Sequence, residues 1–168
     1  SPLYFKEYRS IIIDKLTNTL SKYSNIQKLP ESPTISLHIR RTDYINSTTH
    51  TNLTFDYYTK SLFYIIDKLN TSDINIIIFS DDINWCKKEI PKLNWKYSSI
   101  TFIDKGKDYE QLLLMSKCDH HIIANSSFSW WGAYLDKKNN ITIAPKNWFN
   151  PKSIPNWQDI YDTNWIIM

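Results

Sequence analysis

A chain of 168 residues with 42% apolar and 15% aromatic content is long enough to bury one substantial core, so a single domain is expected. Its 20 basic and 17 acidic residues leave a net charge of +3 spread along the sequence, which excludes a nucleic-acid arm and suits an anionic small molecule. Two glycines, Gly106 and Gly132, are too few for either glycine-rich phosphate loop, and the distant Cys86 and Cys118 fit neither a disulfide framework nor a zinc site and read as reduced packing residues.

From Leu3 to Leu20, Phe5, Tyr8, Ile12, Leu16 and Leu20 recur at helical spacing, and Pro30 and Pro33 punctuate the loop that follows. Ile35, Leu37 and Ile39 alternate with Ser36 and His38 as in a strand. Phe55, Tyr58, Leu62, Ile65, Ile66 and Leu69 return to helical period. The apolar run Ile74 to Phe79 predicts a buried strand that stops at Ser80-Asp81-Asp82, followed by a short helix containing Trp85. Further strands are expected at Ile100 to Ile103, Ile122 to Ala124 and Ile141 to Ala144. Helices are expected at Asp108 to Lys117, with Tyr109, Leu112, Leu113 and Ser116 along one side, and at Phe128 to Leu135. Such alternation predicts an α/β fold, a parallel sheet covered on both faces, with ligands gathered at the carboxyl ends of its strands. The three most polar segments, Arg40 to Asp43, Ser80 to Asp82 and Asn125 to Ser127, all fall there.

No apolar run reaches membrane length and no signal peptide is read, which predicts a soluble, cytoplasmic protein rather than a Golgi-lumenal fragment. Five N-x-[ST] matches, at Asn46, Asn52, Asn70, Asn125 and Asn140, are expected by chance in a chain so rich in Asn and Ser.

Three constellations carry chemistry. His38-Ile39-Arg40-Arg41-Thr42-Asp43 leaves a strand with two guanidiniums and a carboxylate; arginine's planar fork suits a diphosphate. Neighbours on a strand face opposite ways, so one arginine is expected to meet phosphate and the other a carboxylate, with Asp43 the candidate. A surface ion-pair cluster is the plain alternative, as a hydrogen-bonded core histidine is for His38. In Ser80-Asp81-Asp82 a carboxylate could accept from the two in-line donors of guanine, or Asp82 could simply cap the next helix. A divalent metal needs more oxygen ligands than this segment supplies. Asn125 to Ala133 runs from a strand into a helix whose first N–H groups, joined by the hydroxyls of Ser126 and Ser127, form an anion site. Capping by either serine, with core aromatics behind, accounts for it equally.

Taken in order, H-I-R-R-T-D-Y, I-F-S-D-D-I-N-W and I-I-A-N-S-S-F-S-W-W-G-A-Y-L resemble the α-1,2-fucosyltransferase family (glycosyltransferase family 11-like). Tyr109 to Leu112, Leu114 to Cys118, Ile143 to Lys146 and Trp148-Phe149 are similar to it as well, so the resemblance covers nearly the whole chain. It implies a Rossmann-like fold, the C-terminal donor domain of a GT-B glycosyltransferase. Residues 1–168 would form this one donor-nucleotide-binding domain, about residues 1–22 would be the passage between domains, and the N-terminal acceptor domain would be absent. It further implies inverting, metal-independent transfer of fucose from GDP-fucose to a galactose-type hydroxyl of a glycan acceptor, without a cofactor. By the same resemblance Arg40 would contact the diphosphate, with Arg41 beside it; His38 and one of Asp81 or Asp82 would hold guanosine; Asn125, Ser126, Ser127 and Phe128 would complete the pocket. The base that takes the acceptor's proton stays open between Asp43, which could instead orient an arginine, and His50 in a polar loop nearby. Use of another GDP-sugar and a non-catalytic GDP-binding module are the competing readings.

Overall fold

The structure, a computed structural model, describes residues 1–22, 28–138 and 140–168. A 3-10 stretch, Pro2–Tyr8, leads into α1 (Arg9–Ser21). The chain then runs β1 (Thr34–Ile39), α2 (Phe55–Leu69), β2 (Asn75–Ser80), α3 (Ile83–Glu89), β3 (Ser99–Phe102), α4 (Asp108–Met115), β4 (His120–Ile122), α5 (Ser127–Tyr134), β5 (Thr142–Ala144) and β6 (Ile166–Ile167). All strand pairs are parallel, in the order β3-β2-β1-β4-β5-β6. This is the Rossmann order, and it reverses direction at β1, whose two neighbours are β2 and β4.

Alternation along β1 sorts its side chains. Ile35, Leu37 and Ile39 enter the core beneath α2 and α3, with Tyr58, Leu62, Ile65 and Cys86. Each fully buried Leu or Ile there contributes roughly 1.5–3 kcal/mol. Ser36 and His38 therefore turn to the opposite face, where Phe79 meets Leu114 and Met115 of α4, and Ile123 meets Trp130 and Tyr134 of α5. The helices α4 and α5 touch so closely that a Cβ at Gly132 would lie 2.2 Å from Met115 Sδ.

The elements match those expected from periodicity, with shifts that have physical causes. The opening helix is broken: its first turns have the tighter 3-10 pitch, and Phe5 (φ −133°) leaves helical geometry to pack on Trp130, Trp131 and Tyr134. The expected stripe is thereby dephased; Tyr8 and Leu16 are exposed, and Ile13 is the buried residue of α1. On α4 the buried residues are Leu113, Leu114 and Met115, because α5 and α1 both pack against it. β4 begins two residues earlier than its apolar run, since His120 and His121 pair with Ile35 and Ser36. β6 is too short to show a period.

Cys86 and Cys118 are free, fully buried and on opposite faces of the sheet. Asn125 is buried with its amide donating to two carbonyls, so this sequon accepts no glycan in the folded chain. No helix among the described residues is long and apolar enough to cross a membrane.

Candidate active site at the sheet's reversal point

The three polar loops meet at the carboxyl rim of β1, β2 and β4. Asp81 joins the first two: its carboxylate accepts the main-chain N–H groups of Arg41 (2.9 Å) and Thr42 (3.0 Å) and the Thr42 hydroxyl. Tyr44 joins the first and third, its hydroxyl donating to the Asn125 carbonyl at 3.0 Å. His38 and Phe128 bring their rings to 5.4 Å across the β1/β4 split.

Both arginines meet carboxylates, where one was expected to be left for phosphate. Arg40 donates through Nε and Nη2 to the two oxygens of Asp43 at 2.8 and 2.9 Å, with Asp81 3.5 Å away. Asp43 is therefore an orienting partner whose hydrogen bond from Arg40 holds its carboxyl below the usual range, and Nη1 of Arg40 has no partner among the described residues. Arg41 leans the other way, donating from Nε to Asp82 (3.2 Å) and lying 4.1 Å over the Trp85 ring, which stacks in turn on Phe55. Its side chain is fixed on the α3 side of the loop.

Asp82 does cap α3, its Oδ1 accepting the Trp85 N–H at 3.2 Å, an interaction of about 1 kcal/mol. Asp81 and Asp82, one of which was expected near guanine, thus both hold the arginine loop, and a base reaching either competes with these bonds. His38 differs: it is 4% exposed and its Nδ1 has no partner among the described residues. Burial, reinforced by Arg40 and opposed by Asp81, lowers its pKa to about 4, so the ring is neutral at pH 7.

Ser126 caps α5, accepting the Phe128 N–H at 3.3 Å, while Ser127 is exposed at the helix start. The N–H groups of Ser127 and Ser129 have no partner among the described residues, which suits the site to an anion. Capping and anion binding are compatible here because they use different N–H groups.

Two cavities of about 410 Å³ flank the Arg40–Tyr44 segment. One, toward α2 and α3, is lined by Arg40, Arg41, Phe55, Tyr58 and Trp85. The other, toward α5, is lined by Tyr44, His50, Asn125, Ser127, Trp131 and Trp148. Tyr44, Phe55, Tyr58 and Trp85 escaped notice as site residues in the sequence; an aromatic directly after R-R-T-D was the signal available for Tyr44.

A second polar chain lies deeper. Ser36 Oγ is 2.6 Å from His121 Nδ1, and His121 Nε2 is 3.1 Å from Asp136 Oδ2. All three are at most 2% exposed, and Asp136 also accepts from the Lys138 N–H and the Asn140 amide. The spacing is that of a hydrolase triad, but no solvent reaches it, and its role is to tie β1, β4 and the end of α5 together. Among the described residues no three His, Cys, Asp or Glu side chains cluster as metal ligands would.

Comparison with known proteins gives this geometry its context. The chain is 39% identical over 125 residues to an α-1,2-colitosyltransferase of Escherichia coli, covering 71% of this chain and 42% of that protein. It is 40% identical over 121 residues to the O-antigen biosynthesis glycosyltransferase WbnK of Escherichia coli, covering 69% and 39%. A galactoside 2-α-L-fucosyltransferase, SEC1 of Bos taurus, is 28% identical over 71 residues, covering 40% and 18%. The chain thus spans about two fifths of the length of the two bacterial relatives. Residues 6–168 match the profile of glycosyl transferase family 11, and the chain belongs to that family.

Proposed function

We propose that this chain is the donor-binding half of an inverting, metal-independent transferase that moves fucose from GDP-fucose to a galactose-type hydroxyl of a glycan. The observation that carries the reading is the convergence of an arginine with a free edge, an exposed helix start and a neutral buried histidine at the one point where the sheet order reverses. The transition state separates an oxocarbenium-like sugar from an anionic GDP, so fixed donors at the second phosphate act where charge develops. Arg40, held by Asp43, offers its remaining donors to that phosphate, and Ser126, Ser127 and the N–H groups of α5 take the rest of the diphosphate. Arg41, Asp81 and Asp82 keep the loop in shape. Guanine lies against Phe128, with His38 Nδ1 accepting from its ring N–H or donating to its carbonyl. A cytoplasmic setting belongs to the same proposal and suits the two buried free thiols.

The companion domain that would hold the acceptor is part of this proposal, in keeping with the greater length of the relatives. A second reading, transfer from another GDP-sugar, is favoured by the identity to a colitosyltransferase. Calorimetric titration of the chain with GDP, UDP and ADP, with and without EDTA, tests the common core of both. GDP is expected to bind at least about tenfold more tightly than the others, by roughly 1.4 kcal/mol, and to be indifferent to EDTA. Equal affinity for UDP contradicts the base site; loss of binding in EDTA contradicts metal independence.

A further inference from the structure

The cavity on the α5 side has an unusual lining for a site that must handle a sugar's hydroxyls. Its walls are mostly aromatic, and two polar features are built into them. The first is Asn125, 1% exposed, whose amide donates to the carbonyls of Thr51 and Trp148 at 2.8 Å while its Oδ1 has no partner among the described residues. A buried acceptor left without a donor costs roughly 1–3 kcal/mol, which a ligand hydroxyl entering the cavity would recover.

The second is His50. Its ring stacks on Tyr44 at 4.2 Å with planes 20° apart, tilts against Phe149 at 5.2 Å, and its backbone bridges to Phe149. Ser47 Oγ accepts the main-chain N–H groups of Thr49 and His50 and stands 3.4 Å from Nδ1. Nε2 has no partner among the described residues. An imidazole held this firmly, with one nitrogen open, can accept a proton from a hydroxyl brought to it, and His50 is the imidazole that lines this cavity. The competing carboxylate, Asp43, has both oxygens committed to Arg40, and that bond makes it a weaker base.

The spatial order also fits. The Arg40 guanidinium sits 5.6 Å from the centre of the Tyr44 ring, and His50 stacks on that same ring. In an inverting displacement the leaving group and the attacking oxygen occupy opposite faces of the anomeric carbon, so their two helpers must stand apart by the width of a sugar, as the paired carboxyls of inverting glycosidases do.

Resting on the transferase reading above, we infer that His50 is the general base of the reaction. The acceptor hydroxyl gives its proton to Nε2 of His50 as its oxygen bonds to the anomeric carbon. The bond from that carbon to the phosphate oxygen breaks, and its electron pair leaves with GDP toward Arg40. The imidazolium then returns the proton to solvent.

The test compares His50→Ala and His50→Gln in the full-length transferase, measuring GDP affinity by calorimetry and fucose transfer to a galactoside acceptor. Both variants are expected to bind GDP within about twofold of the parent. Transfer should fall by roughly 10²–10⁴-fold, and added imidazole should restore part of it to His50→Ala. Transfer within about tenfold of the parent, with GDP binding intact, overturns the assignment. So does a loss of GDP affinity in both variants that matches the loss of transfer, which would make His50 a packing residue. A parent protein that does not bind GDP at all instead sinks the function proposed above.

Discussion

His38 and His121 stand on neighbouring strands, two residues apart in register, and the sheet uses them in opposite ways. Both are buried. His121 has each ring nitrogen matched, one to Ser36 and one to Asp136, so its interactions are complete within the fold. His38 has an unmatched nitrogen beside the rim where three loops converge. Distances alone would choose the wrong one, since the His121 chain has the better triad geometry. A ligand can only complete bonding that the fold leaves unfinished, and of this pair only His38 leaves any. The same contrast separates Arg41, pinned between Asp82 and Trp85, from Arg40, which keeps a free edge.

Breaking the closed chain should produce the largest effect and leave ligand binding alone. His121→Ala strands Ser36 and Asp136 without their partner and is expected to lower stability by about 3–5 kcal/mol in urea unfolding, with GDP affinity unchanged. A drop in GDP affinity at temperatures where the variant is folded would mean that the two histidines are not separate in function.

Arg40→Ala comes next. Removing a charge-assisted partner of the second phosphate should weaken GDP by roughly 100-fold, about 2.7 kcal/mol, while GMP changes far less. Equal losses for both nucleotides would move Arg40 away from the second phosphate.

The smallest effect is a pH dependence that belongs to His38. Its pKa lies near 4 in the folded chain and near 6.5 when unfolded, so protonation favours unfolding below pH 6.5. Its contribution is fully present above that value and is lost as pH falls toward 4, by about 1.4 kcal/mol per unit, or about 2 kcal/mol at pH 5. His38→Phe, which removes the titrating group and the unmatched nitrogen, should flatten this slope between pH 6.5 and 4 and weaken GDP. An unchanged slope would assign the acid sensitivity to other groups.

Much of this was legible in the sequence because the signals are local. Strand β1 alternates apolar with polar side chains and β2 is an apolar run, both stop at charge, and the rim loops are the breaks in those patterns, so their convergence follows from parallel topology. Asp82 and the pair Ser126-Ser127 announced themselves as candidate caps by preceding helical periods, and the structure selects Asp82 and Ser126. Pairings across the fold had no such signal. Nothing in the spacing of Ser36, His121 and Asp136 links residues that lie 85 and 15 positions apart, and nothing told which carboxylate each arginine would meet. Arg40 chose Asp43 because the 3-10 turn Thr42–Tyr44 curls the chain back within one turn, and Arg41 chose Asp82 because Trp85 gives its guanidinium a flat surface. The phase of α1 was lost to the 3-10 pitch before it, which periodicity at 3.6 residues cannot register.

The central claim is that a nucleotide diphosphate settles at the β1/β4 reversal, between Arg40 and the start of α5. Hydrogen–deuterium exchange of the chain with and without saturating GDP tests it most directly. New protection is expected in peptides spanning residues 38–44 and 125–129, with the β3 and β6 edges unchanged. Protection that skips either rim segment, or that centres on the far edges of the sheet, would contradict it.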